Sequence, residues 1–222
     1  MFVMDLTNKK LIIFDLDGTL VDSGGDIMTA NNLTLKTFGF KPISYKKVKS
    51  IIGQGIMGNI IKSLAMQNKK VTDEQRQQMY NFFFTYYKKN VYVKSRPYPG
   101  IKRLLKRLQK HYQLAVCSNK LEKLTKIVLH KSGLKQYFTF VAGGDTFTHK
   151  KPHPSVLLNV IKQFKLQRKD AIFIGDSEHD YHAALNSKVD FCLKLGGYTN
   201  KKISFFSKAQ KIKDYKTIAI NS

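Results

Sequence analysis

Short apolar runs that end abruptly at polar residues are the feature that most constrains how this chain can fold. The clearest are Leu11–Phe14 before Asp15, Leu114–Cys117 before Ser118, and Ala171–Ile174 before Gly175-Asp176. Continuous apolar runs of this length, bounded by turn residues, are typical of strands buried on both faces of a sheet. Phe138–Ala142 and Phe191–Leu195 form weaker runs of the same kind. Because helical periodicity lies between the runs, the sequence predicts an α/β fold with a parallel sheet and helices on both faces.

The stretch from Val21 to Arg96 has a different pattern, with helix-compatible segments and no convincing strand. The predicted helical segments are Ile27–Phe38, Ile51–Met66 and Asp73–Lys89. A helical insertion after the first strand is the simplest interpretation, with Pro97–Gly100 as the return into the α/β core. We therefore expect a core domain of residues 1–20 and 96–222, and a helical domain of residues 21–95.

Composition narrows the class of protein. Hydrophobic residues make up 42% of the 222 residues, enough for a sizeable core. The only two cysteines, Cys117 and Cys192, lie inside apolar runs, which excludes a disulfide scaffold and fits a reducing cytoplasm. The apolar runs are far shorter than the roughly 20 residues that span a bilayer, so we expect no membrane segment. The N-terminus also lacks the layout of a signal peptide.

Polar residues follow the predicted strands where an α/β sheet places its ligand, beyond the carboxyl ends of the strands. These residues are Asp15 and Asp17, Ser118 and Asn119, and Asp176 and Asp180. Any single aspartate there could simply cap a helix or form a turn. Four converging carboxylates would repel one another strongly, and a hard divalent cation such as Mg²⁺ relieves that repulsion. We therefore predict a magnesium site at this edge of the sheet.

The spacing of Asp15 and Asp17 suits covalent phosphoryl chemistry. Extended backbone would point both side chains to one side, so one carboxylate can act as nucleophile and the other as acid and base. Gly18 allows a tight backbone path near a ligand, and the hydroxyl of Thr19 is a candidate phosphate-binding group. Lys151, in a loop stiffened by two prolines, is a candidate cation for the phosphate, although a lone lysine in so basic a chain, taken by itself, is better explained as a solvated surface residue.

These motifs, in this order, resemble those of the haloacid dehalogenase superfamily. The matching segments are DLDGTLVDS at 15–23, CSNK at 117–120, KPHP at 151–154 and GDSEHD at 175–180. The resemblance spans nearly the whole chain, from about Leu11 to Tyr198. It implies a Rossmann-like core with a helical cap inserted after the first motif.

The resemblance also implies a role for each matching position. Asp15 would be the nucleophile and a magnesium ligand, and Asp17 the general acid and base, with its backbone carbonyl on the metal. Ser118 and Asn119 would hold the transferring phosphoryl group, and Lys151 would neutralise it and orient Asp15. Asp176 would bind the metal, with Asp180 as a further ligand or as a support. Dehalogenases of the superfamily lack an acid at the position of Asp17, which favours phosphoryl transfer here.

Within the superfamily the chain is most similar to phosphoglycolate phosphatases. The similarity lies in Asp22-Ser23, Asp26, IIGQG at 51–55, PYPG at 97–100, GGD at 143–145 and GGYT at 196–199. It implies magnesium-dependent hydrolysis of a small phosphorylated metabolite, 2-phosphoglycolate, to glycolate and phosphate. The Gly53-Gln54-Gly55 turn would be either a substrate-facing loop of the cap or an ordinary turn between cap helices.

Several alternatives stay open at this point. A phosphomutase, a nucleotidase or a pyrophosphatase would use the same core residues. The net charge of +24 and the basic stripe between Lys102 and Lys110 could attract polyanions, including nucleic acid. No recognition motif accompanies that stripe, so we expect a solvated basic face and no nucleic-acid function. The sequence leaves open whether the protein is a monomer or a homodimer, and how the lysine-rich segment 201–222 folds, as a last short strand or helix with a frayed tail.

Overall fold

The computed structural model describes residues 3–216 and 219–221, and strands alternate with α-helices from Arg96 to Lys194. The strands are β1 Val3–Asp5, β2 Leu11–Phe14, β3 Val21–Asp22, β4 Arg96–Pro97, β5 Gln113–Cys117, β6 Phe140–Ala142, β7 Ala171–Gly175, β8 Asp190–Lys194, β9 Gln210–Ile212 and β10 Ala219–Asn221. The α-helices are α1 Gly24–Thr37, α2 Tyr45–Lys49, α3 Gly55–Ala65, α4 Asp73–Asn90, α5 Ile101–Leu108, α6 Glu122–Lys131, α7 Ser155–Gln163 and α8 Glu178–Ser187. None of these helices has the length and apolar character needed to cross a membrane.

Six of the strands form one parallel sheet in the order β6-β5-β2-β7-β8-β9. β2 lies between β5 and β7, and Phe14 at its end is in register with Val116 and Ile174. The chain first builds the sheet outward from β2 through β5 to β6, and then from β2 through β7 to β9. Such a reversal opens a crevice at the carboxyl ends of the central strands. The predicted parallel α/β, Rossmann-like sheet is confirmed.

The central strand is buried on both faces, as its unbroken apolar run predicted. Ile12 and Phe14 belong to one hydrophobic core, which the helices α5 and α6 cover. Leu11 and Ile13 point to the opposite core, which α7 and α8 cover. Successive residues of a strand alternate between faces, so a strand covered on both sides must be apolar at every position.

The helices α1 to α4 follow one another between β3 and β4, with α1 packed against α2, α3 and α4. The expectation of no strand between Val21 and Arg96 is wrong, because Val21–Asp22 pairs antiparallel with Arg96–Pro97. Two-residue strands carry no alternating pattern, so sequence periodicity cannot reveal them. This ribbon joins the two chain segments that lead into and out of the helices. The division into domains at residues 21 and 95 stays a prediction.

Asp26 fastens the start of α1 to the segment that returns to the sheet. Its carboxylate accepts hydrogen bonds from the backbone N–H groups of Val93, Lys94 and Ser95, at 2.9–3.1 Å. The hydroxyl of Ser95 donates a further bond to the same carboxylate, at 2.6 Å. Because Asp26 and Ser95 are both buried, these bonds fix the two ends of the helical segment against each other.

The lysine-rich end of the chain is organised by two short strands. After a 3-10 turn at Ile203–Phe206, β9 adds the last strand to the main sheet beside β8. β10 then pairs in parallel with β1. Of the two alternatives for this segment, a short strand is therefore confirmed within the described residues. Residues 217, 218 and 222 lie outside them.

Candidate active site

The carboxyl ends of β2, β5 and β7 bring the predicted polar side chains together. Asp15 directly follows β2, Ser118 and Asn119 follow β5, and Asp176 follows β7. These three strands are neighbours in the sheet, so their ends open into one crevice. Residues remote in sequence thus meet at one place, as the strand-end pattern predicted.

Lys151 lies at the centre of the site as a buried ammonium group. Its Nζ donates to Asp15 Oδ1 at 2.6 Å, to Asp180 Oδ1 at 2.7 Å and to the carbonyl oxygen of Cys117 at 2.8 Å. All three donors of the ammonium group are therefore satisfied. Burial alone would lower the pKa of Lys151, but the two carboxylates outweigh burial and raise it. The interpretation of Lys151 as a solvated surface residue is therefore wrong.

Asp15 is buried at the end of the central strand. Its backbone N–H donates to Ile174 O at 2.8 Å, which extends the β2–β7 pairing by one residue. Burial raises the pKa of Asp15 to about 7, an effect that Lys151 opposes and Asp180 reinforces. A carboxylate in this position depends on nearby positive charge to stay ionised.

Asp176 is enclosed by backbone and by two glycines. Its Oδ2 accepts a 2.6 Å hydrogen bond from the N–H of Tyr198, and its Oδ1 accepts one from the hydroxyl of Thr19 at 3.2 Å. A Cβ on Gly18 or on Gly197 would lie 2.3 Å from Asp176 Oδ2, so a side chain at either position would displace the Asp176 carboxylate. Thr19 therefore helps to position the Asp176 carboxylate through this hydrogen bond. Its predicted contact with phosphate stays a prediction.

Asp180 supports the site from the first turn of α8. Its Oδ2 accepts hydrogen bonds from the hydroxyl and N–H of Ser177, at 2.6 and 3.0 Å, in a capping box, while Oδ1 accepts from Lys151. Both oxygens are thus engaged. Of the two predicted roles for Asp180, this arrangement favours that of a support.

The acidic cluster has the composition of a divalent-metal site. Asp15, Asp176 and Asp180 each present a carboxylate oxygen, and these oxygens lie within 4.8 Å of one another. Three buried carboxylates face one ammonium group, so about two negative charges lack a counter-charge if all three are ionised. The pKa of Asp176 is raised well above its usual value by burial and by its two acidic neighbours. An all-oxygen donor set with this charge deficit fits Mg²⁺.

Asp17 faces the same crevice but is held by other residues. Its Oδ1 accepts hydrogen bonds from the hydroxyl of Ser23 and from Nζ of Lys120. Nζ of Lys120 also donates to the hydroxyl of Tyr87 on α4, at 3.0 Å. Asp17 is not part of the side-chain cluster, and its predicted backbone contact with the metal stays a prediction.

Asn119 joins two loops through its side-chain amide. Its Nδ2 donates to Gly53 O at 2.8 Å and to Lys151 O at 2.9 Å, and its Oδ1 accepts from the N–H of Lys151 at 2.9 Å. Both donors of the side-chain amide are therefore used within the protein. The contact with Gly53 also places the Gly53-Gln54-Gly55 loop at the site, so this loop both begins α3 and faces the crevice.

The crevice is a cavity of about 230 Å³ between the sheet edge and the helices α1, α3 and α4. Its floor carries Asp15, Asp17, Lys151 and Asp176. Most of the opposite wall is apolar, and it includes Ile27, Ile52, Ile56, Met57 and Phe83. The cavity therefore has a charged end suited to a phosphate group and an apolar end suited to the organic group that carries the phosphate.

Comparison with known proteins agrees with this geometry. The family model described as haloacid dehalogenase-like hydrolase matches residues 12–194. The chain belongs to this family. The match begins within β2 and ends at β8, so it contains every strand end that contributes to the site.

Relatives within the haloacid dehalogenase-like hydrolases carry a consistent name. Phosphoglycolate phosphatase from Agrobacterium fabrum is 37% identical over 86% of this chain and 83% of its own length. The protein of the same name from Aquifex aeolicus is 36% identical over 89% of this chain and 91% of its own length. A crystal structure described as a predicted phosphoglycolate phosphatase from Haemophilus somnus 129PT superposes with a TM-score of 0.87, at 30% identity over 94% and 96% of the two chains.

Three residues of this site were not predicted from the sequence. Lys120 and Tyr87 are buried and line the cavity. Tyr198 accepts hydrogen bonds through its hydroxyl from the N–H groups of Ser23 and Gly24, both at 2.7 Å, and donates to Asp22 Oδ1 at 2.7 Å. Lys120 and Tyr198 each lie inside a motif noted in the sequence, and that position is the signal that could have found them.

Proposed function

We propose that this protein is a magnesium-dependent phosphatase that hydrolyses a small phosphomonoester, 2-phosphoglycolate, to glycolate and phosphate. The observation that carries the proposal is the buried Lys151 ammonium group between Asp15 and Asp180. Asp176 lies beside them at the same carboxyl edge of the sheet. The name of the relatives, phosphoglycolate phosphatase, supports this substrate, and the chain matches these relatives over most of their length.

The residues of the site support a two-step hydrolysis. Asp15 attacks phosphorus in line and forms an aspartyl-phosphate, while the bond between phosphorus and the ester oxygen breaks. Lys151 favours the ionised, nucleophilic form of Asp15 against the effect of burial. Asp17 enters the first step as the carboxylic acid and gives its proton to the departing alkoxide, and the carboxylate that remains then takes a proton from the water that cleaves the aspartyl-phosphate. Ser23 and Lys120 hold the Asp17 carboxylate in place for both transfers.

Asp15 and Asp176 would hold Mg²⁺, with Asp180 and Thr19 as supports. When bound, the ion supplies positive charge that offsets the negative charge on the transferring phosphoryl group. Ser118 and the backbone N–H of Asn119 are the proposed phosphate-binding groups beside it, since the side-chain amide of Asn119 donates to Gly53 O and Lys151 O. Phosphoryl transfer depends mainly on such positioning and charge stabilisation, which this site provides on rigid strand ends.

The helices α1 to α4 are proposed to act as a cap, with residues 21–95 as its domain and Gly53-Gln54-Gly55 as its substrate-facing loop. A cap that closes over the site limits the access of bulk water during transfer. The small volume and apolar wall of the cavity favour a short alcohol as leaving group over a polyhydroxylated sugar. The fold alone does not decide this, because a β-phosphoglucomutase from Clostridium difficile superposes with a TM-score of 0.76 at 21% identity.

The experiment that tests the proposal measures phosphate release from 2-phosphoglycolate by the wild-type protein and by Asp15→Asn, with Mg²⁺ or with EDTA. We expect turnover only for the wild type with Mg²⁺, and recovery when Mg²⁺ is added back after EDTA. Near-normal activity of Asp15→Asn would contradict the nucleophile assignment. Unchanged activity in EDTA would contradict the metal requirement.

A further inference from the structure

Lys120 is a buried cation that the proposed reaction uses only in part. Its side chain is 6% exposed and lines the cavity. One N–H of its ammonium group is directed to Asp17 and another to the hydroxyl of Tyr87. A lysine ammonium has three donors, and within the described residues the third has no assigned acceptor.

The other cations that line the cavity are differently placed. All three donors of Lys151 are taken by Asp15, Asp180 and Cys117 O. Lys150 is exposed and donates to the carbonyl of Gln54. Among the lining residues that the structure describes, Lys120 is therefore the buried cation with a donor to spare. Leu121 and Leu124, which are close to Lys120 in the chain, also line the cavity and offer an anion no polar side chain.

The carboxylate of 2-phosphoglycolate, its second anionic group, would lie close to Lys120 when the phosphate is at the site. In 2-phosphoglycolate the carboxylate carbon is two bonds from the ester oxygen, which at about 1.5 Å per bond means a separation of about 2.5 Å. In the proposed reaction Asp17 protonates that same ester oxygen. A group in contact with Asp17 is therefore next to the substrate carboxylate, and Lys120 Nζ lies 2.5 Å from Asp17 Oδ1.

We propose that Lys120, together with the Tyr87 hydroxyl, is the specificity determinant that receives a carboxylate one carbon from the ester oxygen. This inference rests on the proposed function. The ammonium group then serves two anions, holding Asp17 for proton transfer and pairing with the substrate carboxylate. The subsite joins the sheet to the helical segment, since Lys120 follows β5 of the sheet and Tyr87 belongs to α4.

Tyr87 is well placed for this role. It is buried, and Lys120 Nζ lies 5.3 Å from the centre of its ring, so the ring also stabilises the ammonium group. Burial raises the pKa of Tyr87 to about 12, so the hydroxyl keeps its proton at neutral pH. It can therefore accept from Lys120 and donate to a carboxylate at the same time.

The test compares two esters that differ only in the carboxylate, 2-phosphoglycolate and ethyl phosphate, by kcat/KM with Mg²⁺. The wild type should prefer 2-phosphoglycolate, and Lys120→Met should reduce that preference by about 10- to 100-fold, the range for losing a charge-assisted hydrogen bond. Loss of the contact with Asp17 lowers turnover of both esters alike, so it cancels in the ratio. Lys120→Arg should retain part of the preference, and Tyr87→Phe should lower it less than Lys120→Met. The matched control is Lys123→Met, at an exposed lysine of α6, which should leave the ratio unchanged.

A binding measurement keeps the proposal testable if Lys120→Met has no turnover. In the Asp15→Asn background, calorimetry should show that Lys120→Met weakens binding of 2-phosphoglycolate about tenfold or more while binding of ethyl phosphate changes little. Equal effects on both esters would overturn the inference and leave Lys120 as a support of Asp17 only. A wild type that hydrolyses both esters equally well would also overturn it, yet leave the phosphatase proposal intact. A wild type that releases phosphate from neither ester would refute the proposed function itself.

Discussion

Replacing Lys151 with methionine should destabilise the metal-free protein by about 3–5 kcal/mol, the cost of removing one partner of a buried ion pair. The Lys151 side chain is 2% exposed, and its ammonium group contacts Asp15, Asp180 and Cys117 O at 2.6, 2.7 and 2.8 Å. Methionine fills a similar volume but donates no hydrogen bond. Two buried carboxylates and a buried carbonyl would then lose a partner together.

Urea unfolding in EDTA measures this loss, with circular dichroism as the probe because the chain contains no tryptophan. Lys150→Met is the matched control, since the adjacent lysine is exposed and its loss should change the free energy of unfolding by no more than about 0.5 kcal/mol. The double variant Lys151→Met/Asp180→Asn should be less destabilised than the sum of its single changes, because one unpaired charge is removed. A Lys151→Met protein as stable as Lys150→Met would refute the buried ion pair.

Two further predictions concern the hydrogen bonds of Asp26 and the two buried thiols. Asp26→Asn should lower the free energy of unfolding, measured in urea, by about 2–3 kcal/mol. The reason is that an amide cannot accept all the hydrogen bonds that Val93, Lys94 and Ser95 donate to the carboxylate. A decrease of less than about 0.5 kcal/mol would contradict this. Burial raises the pKa of both Cys117 and Cys192 to about 12, so Ellman's reagent at pH 8 should label neither thiol in the native protein and both in guanidinium. Rapid native labelling would contradict their burial.

Two residues, Asn119 and Tyr198, link the helical segment to the candidate site. Asn119 bonds Gly53 O at the start of α3 and both the N–H and C=O of Lys151. Tyr198 donates its N–H to Asp176, and its hydroxyl bonds the backbone just before α1. A movement of the helices relative to the sheet would therefore change contacts made by the same residues that position Lys151 and Asp176. This arrangement gives the proposed cap a direct mechanical connection to the site.

The strands of the main sheet were predictable where they are long and fully buried. Leu11–Phe14 and Ala171–Gly175 are apolar along almost their whole length because both of their faces are covered. The pairs β1–β10 and β3–β4 were missed, since strands of two or three residues show no periodicity. Their existence depends on which distant segments the sheet brings side by side.

The site was predictable in its acidic residues but not in its full set of contacts. Asp15 and Asp176 stood out because acids are scarce and these follow apolar runs. Lys120 did not stand out, because in a chain with 39 lysines and arginines one more basic residue carries no information. Its place in the CSNK motif is a local signal, but that motif does not show that the ammonium group is buried against Asp17 and Tyr87.

The order and type of residues alone determined the parallel sheet, the run of helices between its first two strands and the strand ends where the acidic residues of the candidate site lie. These depend on local patterns, namely apolar runs of strand length and the polar residues that end them. Only the tertiary structure decided which charges pair, that Thr19 and Asn119 use their side chains to position neighbours, and that Lys120 and Tyr87 meet across the cavity. Ion pairing and burial depend on distances between segments far apart in the chain, and those distances exist only once the sheet and the helices have packed together.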